Sequence, residues 1–193
     1  MPLTLIEPPA SLPVSLAEAK AFLRIEHAED DALIENLIGA AVEHVEQATG
    51  RQFMPAEFML TARCFDPIVR LPRSPVLTVE SVQYRDRAGN LQTLVENVDY
   101  LVDIAAEPAT VEPVKSWPTV GDYPDAAQIA FTAGYAGDGG SPEVFPIPQR
   151  ARVAIKALTA HWYEERAPVP DTPRVTEAPY HVTRLINGLR VWR

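Results

Sequence analysis

Cysteine, histidine and unbroken apolar runs are all scarce in this chain, and each scarcity excludes something. The single cysteine, Cys64, rules out an internal disulfide and fits a reducing compartment. It sits in the strand-like run FMLTARCF, which predicts a small core residue rather than a nucleophile, because free cysteine is often buried. No apolar stretch approaches the roughly 20 residues that span a bilayer, so no membrane partner is expected. The opening MPLTLIEPPASLPVS has no basic region followed by a long apolar one, and no secretory leader is expected there. His27, His44, His161 and His181 are scattered, without HExxH or paired His/Cys spacing, and give a metal site no support.

Positive charge is short as well. The 193 residues carry a net charge of −9, which argues against binding nucleic acid by neutralising phosphates. The charge is unevenly spread. Residues 1–50 hold nine acids against Lys20 and Arg24, whereas residues 174–193 hold four arginines against Glu177. Such asymmetry suggests that the two ends face different partners, or that one chain's tail meets another chain's body; solvated faces of unrelated origin are the plainer alternative. A hydrophobic content of 47% is ordinary for a globular protein.

Hydrophobic periodicity organises the rest. In VSLAEAKAFLRI, Ser15 followed by Glu18 is a capping box, with Leu16, Ala19, Phe22 and Leu23 on one helical face. In DALIENLIGAAVEHVEQATG, Leu33, Ile34, Leu37, Ile38, Ala41, Val42 and Val45 form a stripe that Gly50 ends; His44 beside it reads as a surface or interface residue. Adjacent Asp30 and Asp31 read as helix-start acids. From Ala56 to Tyr135 the texture is that of strands: EFMLTARCF, VLTVESVQYRD, LQTLV, DYLVDI and AQIAFTAGY. Within that region RDRAGNLQ predicts a hairpin turn with Gly89 and Asn90 open to positive φ, and 113–125 a long loop whose Trp117 and Tyr123 are packed down. Helical spacing returns in QRARVAIKALTAHWYEER, after Pro148. The expected organisation is a helical part over 1–55, an inserted β-region over 56–135, a helix within 145–166 and a proline-rich leash with tail over 167–193. The class is α+β: a helical frame of two N-terminal helices and one long C-terminal helix, holding a small antiparallel β-region, whose flanking helices pack together.

Catalytic signals are weak. His161 and Glu164 share a helix face, but one such pair is common by chance. GYAGDGG lacks the Lys-Ser/Thr of a phosphate loop, and Ser141 lacks the GxSxG elbow. No enzyme and no cofactor are expected. The unusual feature is the tail. In APYHVTRLINGLRVWR, Val182, Leu185, Ile186 and Leu189 fall at i, i+3, i+4 and i+7, the pattern of a short helix that lays one face in a partner's groove. The alternative is that it folds back on its own body, as short apolar termini often do.

The stretch PVSLAEAKAFLRIEHAEDDALIENLIGAAVEHVEQATGRQF resembles the head–tail connector (adaptor) proteins of tailed bacteriophages, whose recurring pattern reads sLaEaKaHLRi…DD.lI..lI.aA..hvE..tGR. LPRSPVLTVESVQY, IAFTAGY and VFPIPQRARVAIKALTAHWYEERAPV extend the likeness, so that it runs from about Val14 to Val169 and takes in the adaptors of gene transfer agents. The resemblance implies a structural protein of a particle neck, assembled in the bacterial cytoplasm, in a homo-oligomeric ring of about twelve copies. It implies a portal protein and a stopper or other neck protein as partners, and a channel through which DNA passes without specific binding. By position and character it implies portal docking by the tail, through Tyr180, Val182, Arg184, Leu185, Ile186, Leu189, Arg190 and Trp192. Glu35, Glu43 and Glu46 are then expected at the ring interface or lumen. A soluble non-viral binding module with the β-region as ligand platform is the competing reading, and an enzyme with a site in the loop 113–125 or around His161 and Glu164 is a third.

Overall fold

A computed structural model describes residues 1–135, 146–165 and 180–191. The leash expected over 167–179, the glycine-rich GYAGDGG beyond Tyr135, Ser141 and Trp192 lie outside the described residues. The fold is α+β, with helices at either end of the sequence enclosing the strands.

The helices follow their sequence signals closely. Helix α1 spans Leu16–Leu23; Ser15 Oγ accepts from the Glu18 amide at 3.2 Å, and Glu18 Oε2 accepts from the Ser15 amide at 3.0 Å. The capping box therefore satisfies two donors that the helix itself leaves unpaired. Helix α2 spans Asp31–Thr49 and stops at Gly50, whose φ of 73° suits a residue without Cβ. Helix α3 spans Gln149–Glu164 and α4 spans Tyr180–Asn187. One apolar cluster joins all four: Ala19 from α1, Ile34, Ile38 and Val45 from α2, Ala154, Ile155 and Leu158 from α3, and Val182 and Ile186 from α4. Each large side chain buried there is worth roughly 1.5–3 kcal/mol against exposure, so the stripes on α2 and α3 are satisfied by each other.

The strands form two antiparallel sheets. The larger has the order β1-β2-β8-β4-β5, with β1 at Leu3–Glu7, β2 at Ala56–Ala62, β4 at Val76–Arg85, β5 at Leu91–Thr93 and β8 at Ala127–Ala133. The smaller has the order β3-β7-β6, with β3 at Val69–Arg70, β6 at Tyr100–Asp103 and β7 at Thr110–Pro113. A second apolar cluster, including Phe58, Leu60, Val69, Leu71, Val111, Ile129 and Phe131, lies between them. Alternation carries this: Ala56, Phe58 and Leu60 of β2 point inward while Glu57, Met59 and Thr61 do not. The Arg85–Leu91 hairpin turns on Gly89 at φ 88°; Asn90 keeps negative φ, and its amide instead donates to Asp86 Oδ1. In the loop after β7, Trp117 stacks on Phe65 with centroids 4.3 Å apart and donates to the Asp66 carbonyl, and the Tyr123 ring lies beside Gly89 and Gly121.

Two further features depart from the sequence reading. The proline-rich lead contributes β1, which pairs with β2 and so ties the N-terminus into the β-region. Cys64 is exposed, just beyond the end of β2, rather than in the core. The strand ends at Ala62, so Cys64 falls past it and has no buried strand face to occupy.

Candidate functional site

The tail provides the main site, and the structure places it against the chain's own body. Val182, Ile186 and Leu189 are buried in the helical cluster and Leu185 packs against it from the side. In this conformation the stripe faces inward, which is the fold-back alternative that its spacing left open. Amphipathic spacing shows that a helix needs a groove, but not whose groove it is. Outward lie Tyr180, 79% exposed, with Arg184 and Arg190. The segment after α4 is pinned by its backbone as well, because the Val191 amide donates to the Thr49 carbonyl at the end of α2.

Arg51, directly after the Gly50 stop, holds this seat together. Its Nε donates to the Leu189 carbonyl at 2.7 Å, its Nη1 to the Tyr135 hydroxyl at 2.8 Å and to Glu107 Oε1 at 2.9 Å, and its Nη2 to Glu107 Oε2 at 2.8 Å. One guanidinium thus reaches the tail, the end of β8 and the loop between β6 and β7, with the two-pronged carboxylate geometry that arginine favours. Burial works against its charge, but the bonds to Glu107 and the neighbouring Tyr135 outweigh it and hold its pKa above the ordinary value. Burial likewise pushes the Tyr135 hydroxyl up, opposed by Arg51. Arg51 falls in the TGR at the end of the quoted N-terminal pattern, and its place just past a helix-stopping glycine was the available signal. Glu107, in a loop, carried none.

The three acids expected on α2 divide. Glu35 and Glu43 are exposed, the latter accepting from Gln47 Nε2 one turn on at 3.0 Å. Glu46 is half-buried, and its Oε1 accepts from the Phe53 amide at 2.8 Å. The chain doubles back past Gly50, and Glu46 turns inward to satisfy the returning backbone. Burial raises its pKa, with the Phe53 amide and Arg73 opposing.

The remaining polar residues serve packing. Asp31 pairs with Lys20 and Asp30 bonds the Tyr163 hydroxyl, so these acids tie α2 to α1 and α3 rather than capping α2, whose N-cap makes no side-chain bond. His44 meets Trp162 edge to face at 6.0 Å. His161 Nε2 lies 3.5 Å from Glu165, not Glu164. Among the described residues no group of three or more His, Cys, Asp or Glu could hold a metal, and no helix is long and apolar enough to cross a membrane.

Chains of gene transfer agent particles share this fold. The chain is similar over its full length to a chain in the neck of an empty gene transfer agent particle computed with C6 symmetry: TM-score 0.76, 22% identity, 97% of that chain covered. It is equally similar to a chain of the native gene transfer agent virion, at TM-score 0.76 and 24% identity, again with 100% and 97% coverage. A third likeness is to the neck of a native particle computed with C12 symmetry, at TM-score 0.73, 23% identity and the same coverage. In sequence, the family of phage gp6-like head-tail connector proteins matches residues 13–89, from the turn before α1 to the β4–β5 hairpin. No curated protein matches. The chain therefore matches the head–tail connector family over residues 13–89 and shares the fold of chains from gene transfer agent particles.

Proposed function

We propose that this protein is a structural head–tail connector of a tailed phage or gene transfer agent particle. It works as one subunit of a ring of about twelve copies that joins head to tail and continues the DNA channel. The observation that carries this reading is the fold likeness to chains of gene transfer agent particles, which takes in all of this chain and 97% of each of those chains. A portal protein above and a stopper or other neck protein below are the partners of such a ring, and its work is mechanical rather than catalytic. The tail meets the portal through its outward side, Tyr180, Arg184 and Arg190, while Val182, Ile186 and Leu189 anchor it to the body. Anchors that are weak singly hold together when many act at once.

The test is co-purification of the full chain with portal protein from particle-producing cells. Tyr180→Ala with Arg184→Glu alters only the outer side of α4, so the fold is kept; portal association is expected to fall while the thermal midpoint stays put. Undiminished association would refute the role of the tail, and absence of the wild-type chain from particle necks would refute the connector reading itself.

A further inference from the structure

Gly39 sits in the middle of α2, where glycine is costly because it loses more backbone freedom than alanine and fills no space. Nothing in the fold requires it: a Cβ built at this position meets no atom within 4 Å, and no positive φ is involved. One or two turns away on the same side lie Ala32, Glu35, Asn36 and Glu43, all exposed. The outer face of α2 is thus a shallow, acidic surface centred on a glycine that its own chain does not use.

A second face of the chain has the opposite character. Phe22 of α1 is 48% exposed and Val153 of α3 is 42% exposed. Lys156, one turn from Val153, lies 5.9 Å from the centre of the Phe22 ring, and Arg150, one turn to the other side, is exposed and donates through Nη1 to the Gly188 carbonyl at 3.3 Å, with no carboxylate partner. This face is a large apolar projection with a basic rim. Among the described residues none of Glu35, Glu43, Arg150 or Lys156 makes an ion pair, whereas Lys20, Arg51, Arg85 and Arg152 each have a carboxylate partner.

We infer that these two faces dock on each other between neighbouring copies of this chain: the Phe22–Val153 projection of one copy packs over Gly39 of the next, with Arg150 and Lys156 meeting Glu35 and Glu43. A ring of more than two copies needs a head-to-tail interface made of two different surfaces, which a self-complementary patch cannot supply. The small residues allow close approach, the apolar side chains give the contact a dry centre, and the charges set the register. This assignment rests on the connector reading and places the α2 acids between subunits rather than in the lumen.

Cross-linking in assembled necks tests it, using the full chain with Cys64→Ser produced together with the other particle proteins. Gly39→Cys combined with Val153→Cys is expected to give, on oxidation, a ladder of covalent oligomers up to the closed ring, and neither substitution alone should do so. Gly39→Gln should leave the isolated chain as stable as the wild type or more so, yet lower its incorporation into necks by about tenfold or more. Glu43→Arg should impair incorporation and Arg150→Glu restore it in the same chain. Wild-type rings that form with no ladder and with Gly39→Gln fully incorporated overturn this interface and leave the connector reading intact. Absence of any wild-type ring in the necks overturns both.

Discussion

Arg51 shows how much one side chain can organise. It touches the tail carbonyl of Leu189, the loop carboxylate of Glu107 and the Tyr135 hydroxyl, and is itself largely covered. Removing it leaves a buried carbonyl and hydroxyl without their donor, so Arg51→Ala is expected to cost about 2 kcal/mol in denaturant unfolding. Glu107 is half exposed and contributes less to stability. Glu107→Gln should nevertheless speed hydrogen exchange in α4, which Glu107 does not itself touch, because it orients the guanidinium that holds Leu189. Glu46 gives a pH-dependent prediction. Its folded pKa is raised by burial, so the folded state holds this proton more tightly than the unfolded chain does. The ionised form therefore penalises folding at neutral pH, and the penalty disappears as pH falls through the raised value to below the ordinary carboxylate range. Glu46→Gln keeps an oxygen to accept the Phe53 amide and should stabilise the protein at pH 7. Unfolding measured against pH should show that advantage shrinking towards acid.

At the scale of elements, α4 is the one whose role changed most between sequence and structure. Its spacing identified an amphipathic helix, and eight residues are too few to hold a helix in isolation. The partner that stabilises it is the groove of α2 and α3 in its own chain. Ile186→Ala should therefore cost about 2–4 kcal/mol, read as a lower thermal midpoint of the monomer. An unchanged midpoint would mean that the seat is not occupied in solution. Helix α1 shows the reverse case, since its cap was fully legible. Ser15 and Glu18 form the reciprocal bonds their spacing implied, and Glu18 also reaches Arg152 of α3. Ser15→Ala is expected to cost about 1 kcal/mol. Strand β1 was missed because a proline-rich lead carries little alternation, and its pairing is supplied by β2 rather than by its own pattern.

For the whole molecule, charge is the property that bears on function. A chain with net charge −9 presents few sites for phosphate neutralisation. It is expected to show no measurable binding to duplex DNA at roughly 0.15 M salt in a mobility-shift experiment. Tight, strongly salt-dependent binding would contradict a channel through which DNA slides freely. Two apolar clusters, one among the helices and one between the sheets, make the body, and Arg51 stands at their junction with the tail.

By itself the sequence determined the local elements and the class. Capping boxes, helical stripes, strand alternation and a glycine stop are short-range consequences of backbone geometry, legible wherever the residues stand. The connector resemblance was likewise carried by short contiguous stretches. Only the tertiary structure decided where the surfaces went. It turned the apolar stripe of α4 into its own core and Glu46 in toward Phe53, left Cys64 outside, and set in the centre of α2 a glycine that the fold does not use. These outcomes depend on which distant segments meet, through Arg51 to Glu107 and Leu189 or α2 to α4, and one-dimensional spacing does not encode such meetings.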